Sequence, residues 1–177
     1  HKYARQKYNQ NRYSVPFLNE EVFLHSCFVA GTKVTTSHGL RSIEKILPGD
    51  LVLSRSVATG ELCFKPVVAA TSREPAKTVL LKVNDEIIHA TTNHLLWVIG
   101  KGWTKAGVIQ SGDLLHSTSD PAVVMSTTPG EPLPTHNLVV VDNHTYFVGE
   151  SRVLSHDVTP RGSVHEKVPG QFLVEAK

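Results

Sequence analysis

The 177 residues are 40% hydrophobic and 19% charged, with a formal net charge of +2. That is enough chain for one domain with a real core, with or without tails. No apolar stretch nears the length of a membrane span, and so small a charge leaves no footprint for nucleic acid or an anionic membrane surface.

Residues 1–26 are polar and basic around a short apolar piece, Val15-Pro16-Phe17-Leu18. They read as a segment flanking the domain, helical near Asn19–Leu24. From Cys27 to Asp157 the composition changes to short runs of Val, Ile, Leu and Thr broken by Gly, Pro, Asn and Asp. Strands are expected at Asp50–Leu53, Phe64–Ala69, Thr78–Val83, Glu86–Thr91, Leu95–Ile99, His136–Val141 and Thr145–Val148, which makes an all-β domain over residues 27–157. Residues 158–177 return to Pro, Gly and charge and read as a tail. It is too short to be a folded effector.

A faint internal repeat runs through the domain. Gly39-Leu40-Arg41-Ser42 through Gly49-Asp50-Leu51 lines up without gaps on Gly102-Trp103 through Gly112-Asp113-Leu114. Each copy is a glycine turn, a short helix-like piece, a Gly-Asp turn and a strand, as two half-domains related by a pseudo-twofold axis would give. The same offset carries Cys27 onto Ala90, beside Thr91, so the two places would meet at the axis.

The ten histidines show no HxxxH or CxxC ligand spacing, so neither metal nor cofactor is expected. Two cysteines are too few for a disulfide framework. Cys27 and Cys63 could pair with each other, or Cys63, between Leu62 and Phe64, could be a buried strand residue.

Four clusters carry chemistry when taken together, although each alone has a plain structural reading. Cys27, at the first position of the β-rich text, can attack the carbonyl of Ser26 and convert the amide to a thioester, provided the site stabilises the oxyanion. Thr91-Thr92-Asn93-His94 lies between two apolar runs, where Thr91 and His94 could hold that peptide and protonate its nitrogen. In His136-Asn137-Leu138 through His144-Thr145-Tyr146-Phe147-Val148, Asp142-Asn143 signals a hairpin turn and His144 is expected to open the returning strand. Val153-Leu154-Ser155-His156-Asp157 closes the domain. There an Asn could cyclise and cut the chain, but the residue is Asp157.

In order and spacing these clusters resemble the Hint family of inteins, hedgehog autoprocessing domains and bacterial intein-like or pretoxin domains. The match covers residues 27–157 and is nearest the bacterial intein-like members. The resemblance implies a horseshoe-shaped all-β fold and a single-turnover domain, a monomer whose substrate is its own flanking polypeptide. In these terms Cys27 is the first nucleophile, Thr91 and His94 activate the Ser26–Cys27 peptide, His144 assists the C-terminal step and His156 polarises the last carbonyl.

Three positions depart from the splicing pattern. Asn137 stands where inteins often carry an Asp that could tune Cys27, Asp157 replaces the terminal Asn, and Val158 replaces Cys, Ser or Thr. Without a nucleophile at 158 ligation is not expected. Cleavage at Ser26–Cys27, and a slower cut at Asp157–Val158 by Asp cyclisation, remain. They would mature a larger bacterial, exported polypeptide, and zinc bound at Cys27 would inhibit. A cleavage-inactive scaffold and a cysteine hydrolase acting in trans are the other readings.

Overall fold

The structure, a computed structural model, describes residues 27–157. The expectations for residues 1–26 and 158–177, including the Asn19–Leu24 helix, Ser26 and Val158, lie outside the described residues.

Valine, isoleucine and threonine fit a pleated, half-buried surface, and here they build strands throughout. These are β1 (Phe28–Val29), β2 (Lys33–Thr36), β3 (Gly39–Ser42), β4 (Leu51–Arg55), β5 (Leu62–Val83) and β6 (Glu86–Thr91). After them come β7 (Leu95–Val98), β8 (Gly102–Lys105), β9 (Leu114–Leu115), β10 (Ala122–Val140), β11 (Thr145–Val148) and β12 (Val153–His156). Two 3-10 turns, η1 (Ile43–Lys45) and η2 (Ala106–Val108), are the sole helical pieces among the described residues.

Two expected strands, Phe64–Ala69 and Thr78–Val83, are the ends of the single strand β5. Residues 136–140 of the expected strand His136–Val141 are the end of the long strand β10, and Val141 lies in the turn. The middles of β5 and β10 pair with each other, from Thr78 opposite Gly130 to Thr71 opposite Asn137. Residues 125–129 and 131–134 of β10 are exposed. Prolines 75, 129, 132 and 134 sit in this exposed ribbon, where a missing N–H is tolerated.

The repeat is physical. Turns η1 and η2 start at Ile43 and Ala106, displaced by the offset of the alignment (39 to 102). Gly49 N–H donates to Val67 O and Gly112 N–H to Val124 O, both at 2.8 Å. Asp50 Oδ2 accepts from Leu47 N–H and Asp113 Oδ2 from Gln110 N–H, both at 2.9 Å. Gly49 and Gly112 have φ of 96° and 92°, a left-handed conformation that glycine alone adopts at little cost.

The halves bury a shared core that includes Phe28, Val34, Leu81, Leu96, Leu115, Leu138 and Tyr146. Each fully buried large apolar side chain contributes about 1.5–3 kcal/mol. The strand path runs from β11 to β3, with β11 also pairing with β2 and β10 with β5, so it closes on itself. The first and last described residues thereby come to lie against the same strand, β10.

Candidate functional site

Strand β1 sits between β10 and β6, with Phe28 opposite both His136 and Ala90. Cys27, one residue earlier, is 1% exposed. Its N–H, which belongs to the Ser26–Cys27 peptide, donates to Thr91 Oγ1 at 2.9 Å. Its carbonyl accepts from Thr91 N–H, also at 2.9 Å. Thr91 therefore grips both sides of Cys27, and its hydroxyl oxygen receives the amide hydrogen. The sequence suggests the opposite polarity, with Thr and His presenting a proton to that nitrogen. His94 follows in a tight turn, its N–H donating to Thr91 O at 3.1 Å, and its fully buried ring lies 4.0 Å from that of Phe28.

Burial pushes the Cys27 thiol up to about 11, against a lowering by the Thr135 hydroxyl beside it and by the Arg73 charge. At pH 7 about one thiol in ten thousand is then ionised. Thr135 is fully buried, opposite Val29 of β1 and Arg73 of β5. The two long strands thus deliver both residues that favour the thiolate, and neither carries a sequence signal.

Asp157, 0% exposed, extends the β11–β12 ladder by donating its N–H to His144 O at 2.9 Å. Its Oδ2 accepts from Val140 N–H at 2.8 Å and lies 3.0 Å from His144 Nδ1, while Oδ1 is 3.8 Å from His156 Nδ1. Burial disfavours the charge. The His144 charge and hydrogen bond, His156 and the Val140 N–H outweigh it and hold the carboxyl at about 2. Hydrogen bonds to an ionised group are the strong ones.

His144 itself has φ +55°, and so stands in the turn with Asp142 (φ +63°) while the returning strand begins at Thr145. Left-handed backbone at a non-glycine residue stores about 1–3 kcal/mol. The turn is tied down by Lys65 Nζ to Asp142 Oδ2 at 3.2 Å and by the Thr145 hydroxyl donating to Arg55 O at 2.7 Å. His156 packs edge-on against Trp103 at 4.9 Å, beside the small core of Trp97, Phe147 and Leu154.

Asn137, where inteins often carry a carboxylate, faces the other end of the domain: its Nδ2 donates to Asp157 O at 3.1 Å and its Oδ1 accepts from Tyr146 OH at 2.5 Å. Tyr146 is fully buried and edge-on to Phe28 at 6.1 Å. Burial, with the Cys27 sulfur and the Asp157 carboxylate in reach, pushes its phenol well above the ordinary value, so it remains a donor. A cleft of about 280 Å³, lined by Glu44, Leu47, Thr71 and His136 among others, opens on Asn137.

All six candidate residues are buried, in two groups: Cys27 with Thr91 and His94, and Asp157 with His144 and His156. Cys63 belongs to neither. It is a free thiol, lies on β5 partly exposed, and accepts from Asn143 Nδ2 at 3.8 Å. Among the described residues no group of three or more His, Cys, Asp or Glu side chains is arranged to hold a metal ion.

The family model of the pretoxin Hint domain matches residues 33–161. The chain belongs to that family. The Hint domain is similar to the bacterial intein-like domain from Clostridium thermocellum, known in solution, with 35% identity, 73% of this chain and 97% of that chain covered, and a TM-score of 0.70. The fold is shared with a DnaB intein from Synechocystis sp. PCC 6803 (17% identity, 74% and 97% covered, TM-score 0.64). It is shared also with the DnaX mini intein from Spirulina platensis (22%, 73% and 98%, 0.64). Comparison with curated proteins finds no match. The all-β horseshoe of the Hint fold is therefore the architecture of residues 27–157, as the resemblance implies.

Proposed function

We propose that this Hint domain cleaves its own backbone at Ser26–Cys27. The two-sided grip of Thr91 on Cys27, with the thiol buried beside Thr135, is the observation that carries the reading. The Cys27 sulfur bonds to the Ser26 carbonyl carbon, the C–N bond breaks, and the thiol proton ends on the released amine. A thioester and an α-amine result. Thr91 Oγ1, which accepts the amide hydrogen beforehand, goes on accepting from that amine as it gains a proton. Water or an added thiol then takes the acyl group from sulfur.

A second cut falls at Asp157–Val158. The Asp157 carboxylate adds to its own carbonyl carbon, the C–N bond to Val158 breaks and His144 passes a proton to the leaving amine. A cyclic anhydride remains, which water opens to two carboxyl groups. Val158 offers no nucleophile, so ligation does not follow. The substrate is the domain's own flanking chain, a monomer acting once, within a larger bacterial polypeptide. The second reading, a cleavage-inactive scaffold, is favoured by one observation: a thiol held neutral at about 11.

Intact mass of the purified chain over time, with and without dithiothreitol, tests both. Loss of residues 1–26 that thiol accelerates and Cys27→Ala abolishes is the expected result. An unchanging mass under all conditions leaves the scaffold.

A further inference from the structure

The Asp157 junction has two sides, and the mechanism above uses one of them. His144, His156 and the Val140 N–H all address the carboxylate side chain. The reacting carbonyl oxygen, where charge develops when the carbonyl carbon is attacked, has a different partner. That partner is Asn137 Nδ2 at 3.1 Å, inside a site where Asp157 is fully buried and Asn137 is 6% exposed. A donor aimed at that oxygen in a water-poor site stabilises the oxyanion with no reorganisation at the moment of reaction.

The orientation of the Asn137 amide is fixed from behind. The Asp157 carbonyl only accepts, so the NH₂ must face it, which leaves Asn137 Oδ1 to accept from Tyr146 OH at 2.5 Å and holds the amide in that orientation. The phenol is buried and protonated, so the relay of hydrogen bonds runs one way, Tyr146 to Asn137 to the Asp157 carbonyl.

We propose that Asn137 is a catalytic residue of the C-terminal cut, the oxyanion donor at the Asp157 carbonyl, and that Tyr146 is its positioning residue. In the step, the carbonyl π pair moves onto oxygen as the carboxylate adds, Asn137 N–H holds that oxyanion, and the pair returns when the bond to Val158 breaks. Aspartate at 137 would serve this end of the domain badly, since a carboxylate offers no donor and repels the developing charge.

The assignment rests on the second cut existing, and the test separates the two. The full chain and its Asp157→Asn variant, which cuts through a succinimide at the same carbonyl, are each followed by intact mass at both ends. Asn137→Ala is expected to slow loss of residues 158–177 by about 10²–10³-fold, and Asn137→Asp at least as much. Loss of residues 1–26 is expected to stay within about threefold in Asn137→Ala, which also reports that this variant is folded; the fold of Asn137→Asp is read from its amide spectrum. Tyr146→Phe is expected to slow the C-terminal cut about tenfold and to move the Asn137 side-chain NH₂ proton resonances upfield, a shift that general loosening of the core would not confine to that group. If the C-terminal cut proceeds and Asn137→Ala or Asn137→Asp leaves its rate unchanged, the assignment is wrong while the cleavage reading stands. A chain uncut at Asp157 in both backgrounds overturns the second cut and the assignment with it.

Discussion

The two ends of the domain sit against the same strand, β10, and could hardly be prepared more differently. Cys27 is a buried acid kept neutral: its thiol is pushed up to about 11, with one hydroxyl and one guanidinium charge pulling it back. Asp157 is a buried acid kept ionised at about 2 by two histidines and a backbone N–H. The N-terminal junction grips the peptide and leaves the proposed nucleophile, the thiol, neutral. At the C-terminal junction the proposed nucleophile is ionised and held by its donors, which lowers the reactivity expected of it. Burial alone therefore does not set an acid's state, since the donors aimed at each group decide it.

The comparison breaks most visibly in Cys27→Ala. Loss of residues 1–26 should cease while loss of residues 158–177 continues at its former rate, as read by mass. If both stop, the junctions are coupled and the contrast is false.

The next largest effect is in pH. Because the thiol titrates near 11, the N-terminal rate should climb roughly tenfold per pH unit between 7 and 10. Asp157 is ionised throughout that range, so its cut should not share the slope. Parallel profiles for the two cuts would show that one common group limits both.

Asp157→Asn sharpens the contrast from the other side. Holding the carboxyl at about 2 rather than near 4 stabilises the ion by about 2 kcal/mol. Without that stabilisation the C-terminal cut should run about thirtyfold faster by mass.

The same ion sets an acid dependence of stability. Its folded pKa is depressed, so the contribution is fully present above about pH 4 and lost as pH falls to about 2. Urea midpoints should show about 2 kcal/mol of such loss, and Asp157→Asn should lack it.

The smallest change is Thr135→Val, isosteric and without the hydroxyl. It should slow the N-terminal cut about fivefold, the worth of a hydrogen bond near 1 kcal/mol, and leave the C-terminal cut alone.

What could be read from the sequence follows from what is local. Cys27, Thr91, His94, His144, His156 and Asp157 stand in turns and strand ends whose neighbours announce them. The offset from Gly39 to Gly102 is written in the Gly-Asp turns themselves. Thr135 and Arg73 were beyond reach as site residues because pairing of β5 with β10 brings them in, and nothing beside Arg73 in the chain says that Thr135 lies opposite. The ribbon hides for a related reason. Wet on both faces through 125–129 and 131–134, it has no alternation of apolar and polar residues, and its prolines imitate a loop. Tyr146 was visible within its motif, but its role depends on a partner nine residues earlier on another strand.

The enclosure of Asp157 bears on what happens after a cut. A chain severed there ends in two carboxylates on one residue, in a space supplied with donors for a single anion and a neutral carbonyl. Like charges so close cannot both stay ionised in a buried site. The new terminus is driven to take up a proton or leave its seat, and either removes the geometry that made the bond breakable. The reaction would then spoil its own product for the return journey, a one-way latch built from the crowding of charge.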